Sequence, residues 1–171
     1  MIRRLILTRL AAAEKELDVP ADYLRHILQV SLRAFFKFVK IMPLAEYRRI
    51  LPLGPYHVAR IVATRDEDCG TCVQIEVNLA KKDGVPADVL RAVLDRRIED
   101  LPEELADAYY FADAVVKATW QEDHWRERIR QRYGEEALIE LAMAIAISRV
   151  FPITKRALGY AISCERVEVQ I

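Results

Sequence analysis

Apolar residues recur at helical spacing between well-placed breakers, and this pattern most limits what the chain can fold into. Leu24, Ile27, Leu28, Leu32, Phe35, Phe36 and Val39 make a broad stripe over 21–41, which Pro43 stops. Leu7, Leu10, Ala11, Glu14 and Leu17 mark a first helix over 3–17, closed by Asp18-Val19-Pro20. A short turn is expected over 45–50 and a loop at Pro52-Leu53-Gly54-Pro55, followed by a helix from about Tyr56 to Thr64. Further helices are predicted from near Cys69 to a stop at Gly84, from Val89 to Leu94, and from Leu101-Pro102-Glu103 to near Trp120. A very polar helix over 123–133 is broken by Gly134, and the most apolar helix follows over 135–150. Pro152 bends or ends it, and 155–160 continue helically. Only Val167-Glu168-Val169-Gln170-Ile171 alternates, as a terminal edge strand or frayed tail would. With 5 glycines and 7 prolines in 171 residues there is little turn material for a β fold. The expected class is all-α, with helix hairpins packed in a bundle.

This length suits a single domain over 1–171, with a helical arm at 1–40, a core at 41–160 and a tail at 161–171. Lys plus Arg and Asp plus Glu balance at 26 each, so no basic excess points to nucleic acid. The N-terminal run Leu5-Ile6-Leu7 resembles a signal peptide, but Arg9, Glu14 and Glu16 interrupt it. Arg33, Lys37 and Lys40 likewise argue against a membrane span in the apolar stretch 27–44. Three cysteines are too few and odd in number for a secreted disulfide framework. The expectation is a cytoplasmic protein without a membrane span.

Two of those cysteines form Asp68-Cys69-Gly70-Thr71-Cys72 where the apolar helix pattern restarts. If Asp68 caps a helix that begins near Cys69, both sulfurs lie in its first turn. There the positive end of the helix dipole favours a thiolate, the form that attacks peroxides and disulfides. Glu76 follows Cys72 by four residues and shares its face, and His57 stands twelve residues before Cys69. A structural zinc site would have Cys69, Cys72 and His57, with Glu76 as the fourth ligand; buried packing cysteines are a third reading. Catalytic dithiol chemistry accounts best for the acidic run and the carboxylate together. Bare helix geometry points to Cys69, at the helix start, as the sulfur that exchanges disulfides.

The segment from His57 to Glu76, together with Glu136-Ala137-Leu138-Ile139-Glu140-Leu141-Ala142 and Arg156-Ala157-Leu158-Gly159-Tyr160, resembles the carboxymuconolactone decarboxylase and AhpD-like superfamily. The resemblance covers roughly 40–160 in layout. It implies an all-helical, usually oligomeric protein with a thiol-dependent antioxidant activity. In the alkylhydroperoxidase branch, a Glu twelve residues before the Cys-x-x-Cys and a His four residues after it relay protons to the second cysteine. Here the residue types are exchanged, His57 for the glutamate and Glu76 for the histidine. An ionised Glu76 beside Cys72 disfavours the thiolate, so the helix start and His57 must offset it, or Glu76 must be protonated. The resemblance makes Cys72 the peroxidatic thiol and Cys69 the one that resolves its sulfenic acid.

The function this implies is a peroxidase or thiol-disulfide oxidoreductase whose substrate is a hydroperoxide or disulfide. An external thiol reductant would recycle it without metal or organic cofactor, in a homo-oligomer. A lactone decarboxylase of the same superfamily and a redox-sensing oligomeric scaffold without catalysis are the alternatives. Cys164 reads as a free packed or surface thiol, and His26 and His124 as solvent-facing or capping. Tyr109, Tyr110, Phe111, Trp120 and Trp125 read as core and interface aromatics that could also wall a pocket, and the 138–150 helix as a subunit interface or central core.

Overall fold

Every residue from Pro55 to Thr64 is buried. A helix apolar on only one side could not be covered all round, and this one mixes small and β-branched residues that let neighbours approach from every direction. It is the fifth helix of a computed structural model that describes residues 2–164 and 169–171. In chain order the helices are α1 Ile2–Leu17, α2 Asp22–Val30, α3 Leu32–Phe38, α4 Met42–Ala45, α5 Leu53–Asp66, α6 Gly70–Lys82, α7 Ala87–Asp95, α8 Glu103–Lys117 and α9 Glu122–Ala157. The fold is all-α, and no strand occurs among the described residues. Helices α6, α7, α8 and α9 pack around α5, and at Gly54 the backbone of α5 meets the Leu105 side chain of α8 so closely that a Cβ would lie 2.8 Å from it. Tyr23, Leu24, Leu28 and Phe35 of α2 and α3 form a second, smaller apolar cluster, joined by Leu7 and Leu10 of α1.

Several helix limits differ from the sequence expectation. The single helix over 21–41 is two, because Ser31 is extended (φ −146°, ψ 104°) and its hydroxyl accepts from the Ala34 N–H to cap α3. The turn expected over 45–50 lies earlier, as α4, and Pro52-Leu53-Gly54-Pro55 is not a loop: Pro52 precedes the helix and Pro55 sits in its first turn, where no N–H is needed. Helix α8 stops at Lys117 with Ala118 left-handed (φ 51°), short of Trp120, which is exposed. Gly84 (φ 86°) ends α6 and Gly134 (φ 84°, ψ 172°) kinks α9, each as the spacing predicts. Pro152 does not end α9, which runs on to Ala157. Of the alternating C-terminal segment, Val167 and Glu168 lie outside the described residues; Val169–Ile171 is not helical, and the Gln170 backbone exchanges hydrogen bonds of 2.7 and 2.9 Å with the Gln74 side chain on α6.

Two buried acids tie the bundle together. Asp107 of α8 takes both Arg128 and Arg132, which is how the polar first half of α9 is held to the core. Glu140 of α9, fully buried, accepts the backbone N–H groups of Arg49, Ile50 and Leu51 at 2.9–3.2 Å and so fixes the segment that leads into α5. Burial pushes its pKa up, but the three N–H donors and Arg48 outweigh that and hold it below the ordinary carboxylate value. Glu140→Ala strips all three donors of their acceptor and leaves the Leu51 N–H buried without a partner, and urea denaturation is expected to show a loss of about 2 kcal/mol.

One helix, α9, is long and apolar enough by composition to cross a membrane, with 44% of its most apolar stretch buried in the bundle. It presents Leu138, Leu141 and Ile145 to the core and leaves Ile139 and Ile153 exposed. That buried side is part of the main core, packed against α5, which is buried all round.

Candidate functional site

Helices α5 and α6 form an antiparallel hairpin that turns at Asp68. Positions equally far from the turn therefore face each other: Thr64 and Cys72 stand four residues to either side, Arg60 and Glu76 eight. Arg60 makes two hydrogen bonds to Glu76, at 2.8 and 3.0 Å, and both side chains are buried. Its remaining NH group donates to the Ala45 carbonyl at 2.7 Å and meets the Tyr56 hydroxyl. Burial disfavours the Arg60 cation, yet the adjacent Glu76 carboxylate outweighs this and Arg60 titrates above its ordinary value. Glu76 thus carries its own counter-ion, and the repulsion it would exert on a Cys72 thiolate is largely cancelled.

His57 does not join Glu76. Its Nε2 lies 2.8 Å from a carboxylate oxygen of Asp83, at the far end of α6. Eleven residues separate Asp83 from Cys72, about 16 Å of helix rise, so His57 stands away from the sulfurs and neither the expected relay nor a zinc set with His57 is assembled. The reason is the hairpin register: a residue eleven before the turn faces position 79, one turn short of Asp83 and one turn past Glu76. His57 is only 2% exposed, and its Nδ1 is buried without a partner. Burial lowers the His57 pKa and the Asp83 bond only partly restores it, so the imidazole is neutral near pH 7. A depressed folded-state pKa means the unfolded chain binds the proton first. Stability is therefore expected to fall as the pH drops below about 6.5, the ordinary histidine value, and urea midpoints for His57→Gln should lose that part of the slope.

Cys69 and Cys72 are joined as a disulfide with their Cα atoms 5.3 Å apart. Cys69 is the residue that caps α6, and its carbonyl accepts from the N–H groups of Cys72 and Val73. Asp68 does not cap the helix. It is left-handed (φ 46°), and its carboxylate turns to the C-terminal segment, accepting from Ser163 Oγ at 3.0 Å and the Cys164 N–H at 2.8 Å. The same segment serves the helix start directly, since the Gly70 N–H donates to the Ile162 carbonyl. Cys164 is a free thiol, half-buried beside Asp68, and burial raises its pKa, with the Asp68 charge adding to the effect.

Sequence reasoning missed Lys155. It lies in the last turn of α9, is 3% exposed, and its Nζ donates to Thr71 Oγ1 at 3.0 Å, which in turn is 3.6 Å from Cys69 Sγ. Burial lowers its pKa, partly opposed by Asp22, and its ammonium sits 5.4 Å from the Tyr23 ring centre. A lysine at an apolar helix face was its one visible signal, and Arg60, likewise missed, gave none until the turn at Asp68 set the hairpin register.

A cavity of about 560 Å³ opens along this hairpin, walled by Cys72, Glu76, Asp83, His57, Arg60 and Thr64 and covered by α1, α2 and α9. Cys69, fully buried, does not reach it. Neither do the aromatics picked from the sequence. Tyr110 stacks on Trp125 at 4.6 Å and Tyr109 accepts from Arg65, while Tyr23, Tyr56 and Phe151 wall the cavity instead. His26 packs on Tyr160 and His124 on Trp125, both outside it. Comparison with models of protein families, with curated protein sequences and with solved structures gives no match to this chain.

Proposed function

We propose that this chain is a thiol-dependent oxidoreductase that reduces a hydroperoxide or exchanges a disulfide through Cys72 and Cys69. The observation that supports it is the Cys69–Cys72 disulfide at the start of α6 with Cys72, alone of the two, walling a cavity. In the reduced form the Cys72 thiolate attacks the terminal peroxide oxygen, the O–O bond breaks, and the alkoxide leaves as alcohol with one proton. The Cys69 thiolate then attacks the Cys72 sulfenic acid, hydroxide leaves as water, and a disulfide forms. Two equivalents of an external thiol return it to the dithiol. The positive start of α6, the Arg60 counter-ion to Glu76, and Lys155 acting through Thr71 all favour the thiolates, so no His57–Glu76 relay is required. The resemblance to the AhpD-like superfamily belongs to this reading, as do a reducing, cytoplasmic compartment, a homo-oligomer, and α9 as a core helix that spans no membrane.

The test is thiol titration of the reduced chain with and without a stoichiometric hydroperoxide. Loss of both active-site thiols, with recovery by added dithiol, supports the proposal; unreactive thiols refute it. A second reading, a redox-sensing or structural disulfide in a scaffold, is favoured by the near-complete burial of both sulfurs. It predicts slow reduction and no hydroperoxide-dependent consumption of added thiol.

A further inference from the structure

Three buried polar groups along the cavity have unmet bonding capacity, and two of them, Lys155 and the Thr64 hydroxyl, can donate to an anion, whereas His57 Nδ1 is left as an acceptor by the bond from Nε2 to Asp83. Lys155, only 3% exposed, spends one N–H on Thr71 and has no carboxylate within ion-pair distance among the described residues. The Thr64 hydroxyl, 1% exposed, has no hydrogen-bond partner among the described residues. Both line this cavity, Thr64 from α5, four residues before the hairpin turn as Cys72 is four after it, and Lys155 from the last turn of α9. A buried charge without a counter-ion is costly, and so is a buried hydroxyl without a partner. Elsewhere along the walls Glu76 is matched by Arg60, Asp83 by His57, and Glu14 by Arg25. The rest of the lining is largely apolar, with Leu10, Leu17 and Leu24 from α1 and α2, Ile75 and Leu79 from α6, and Phe151 from α9.

We infer that the cavity binds a medium-chain monocarboxylate, its carboxylate held by Lys155 Nζ and the Thr64 hydroxyl and its alkyl chain laid along the wall that α1, α2 and α6 share. The carboxylate supplies the missing negative charge and accepts from both free donors, and the start of α6 adds a favourable dipole. The chain displaces water from apolar walls, and a ten-carbon chain fits easily within 560 Å³. The inference rests on the dithiol reading only in naming the class of molecule brought beside Cys72. Binding needs no thiol chemistry.

The test uses the full chain in its disulfide form, with decanoate and decan-1-ol as probes in isothermal titration. Decanoate is expected to bind one molecule per chain and at least about tenfold more tightly than the alcohol. Lys155→Met, which keeps length and removes charge, should abolish that preference by weakening decanoate far more than the alcohol, and Thr64→Val should weaken decanoate more than the alcohol as well. Equal affinities of the wild-type chain for the two probes, or no binding of decanoate, overturns the inference without recourse to any variant. An unaltered decanoate affinity in Lys155→Met overturns it as well. None of these outcomes touches the dithiol reading, which the titration of reduced thiols decides separately.

Discussion

Cys72→Ser is expected to bring hydroperoxide-dependent oxidation of an added dithiol to background, at least about a thousandfold below the wild-type rate, with the helical circular dichroism unchanged. The reason lies in the cavity. Cys72 is the sulfur that reaches it, so a serine there leaves no nucleophile for a bound oxidant, and Cys69 behind it has no route to the substrate. Cys69→Ser separates the roles. It should still react once with hydroperoxide and then stall, with one added oxygen on Cys72 visible by mass spectrometry, because no resolving thiol remains. If Cys72→Ser still turns over and Cys69→Ser does not, the order of attack is the one bare helix geometry suggests, and the assignment of Cys72 fails.

Arg60→Met is expected to be the most destabilising single change near the site. Removing one partner of a buried, bidentate ion pair strands the other charge, a loss of about 3–5 kcal/mol on urea denaturation. Here Glu76 would remain, buried between α5 and α6 with no other cation bonded to it among the described residues. The double variant Arg60→Met, Glu76→Leu should recover most of the loss, since replacing a whole buried pair by apolar residues is close to neutral. The stranded carboxylate should also raise the Cys72 thiol pKa in reduced Arg60→Met, which iodoacetamide alkylation rates against pH would read. A single variant as stable as the wild type would mean that the pair contributes nothing to the hairpin.

How much could be read from the residues alone differs from one element to the next. The helix starts and stops that rest on local chemistry were legible: Gly84 and Gly134 take the positive φ their places demand, and prolines stand before α7 and α8. Two of the errors of extent came from residues with two uses. Ser31 can sit inside a helix or cap one, and Pro52 and Pro55 can make a loop or open a helix; tertiary packing chose the cap in the first case and the helix in the second.

The site divides in the same way. Spacing along one helix places Cys72 and Glu76 on one face and both sulfurs within one turn, because helix geometry is local, and this much the chain determines by itself. Which residue of α5 meets which of α6 depends on where the hairpin turns and how its helices rotate, and only the packed structure decided that Arg60 takes Glu76 and His57 takes Asp83. The tertiary structure alone brought Lys155 from the far end of α9 to Thr71, and Ile162 and Cys164 to the start of α6, across separations of 84 residues and more. No pattern of neighbouring residues encodes such contacts. They form where the packed bundle brings the last turn of α9 and the C-terminal segment against the start of α6, beside the disulfide.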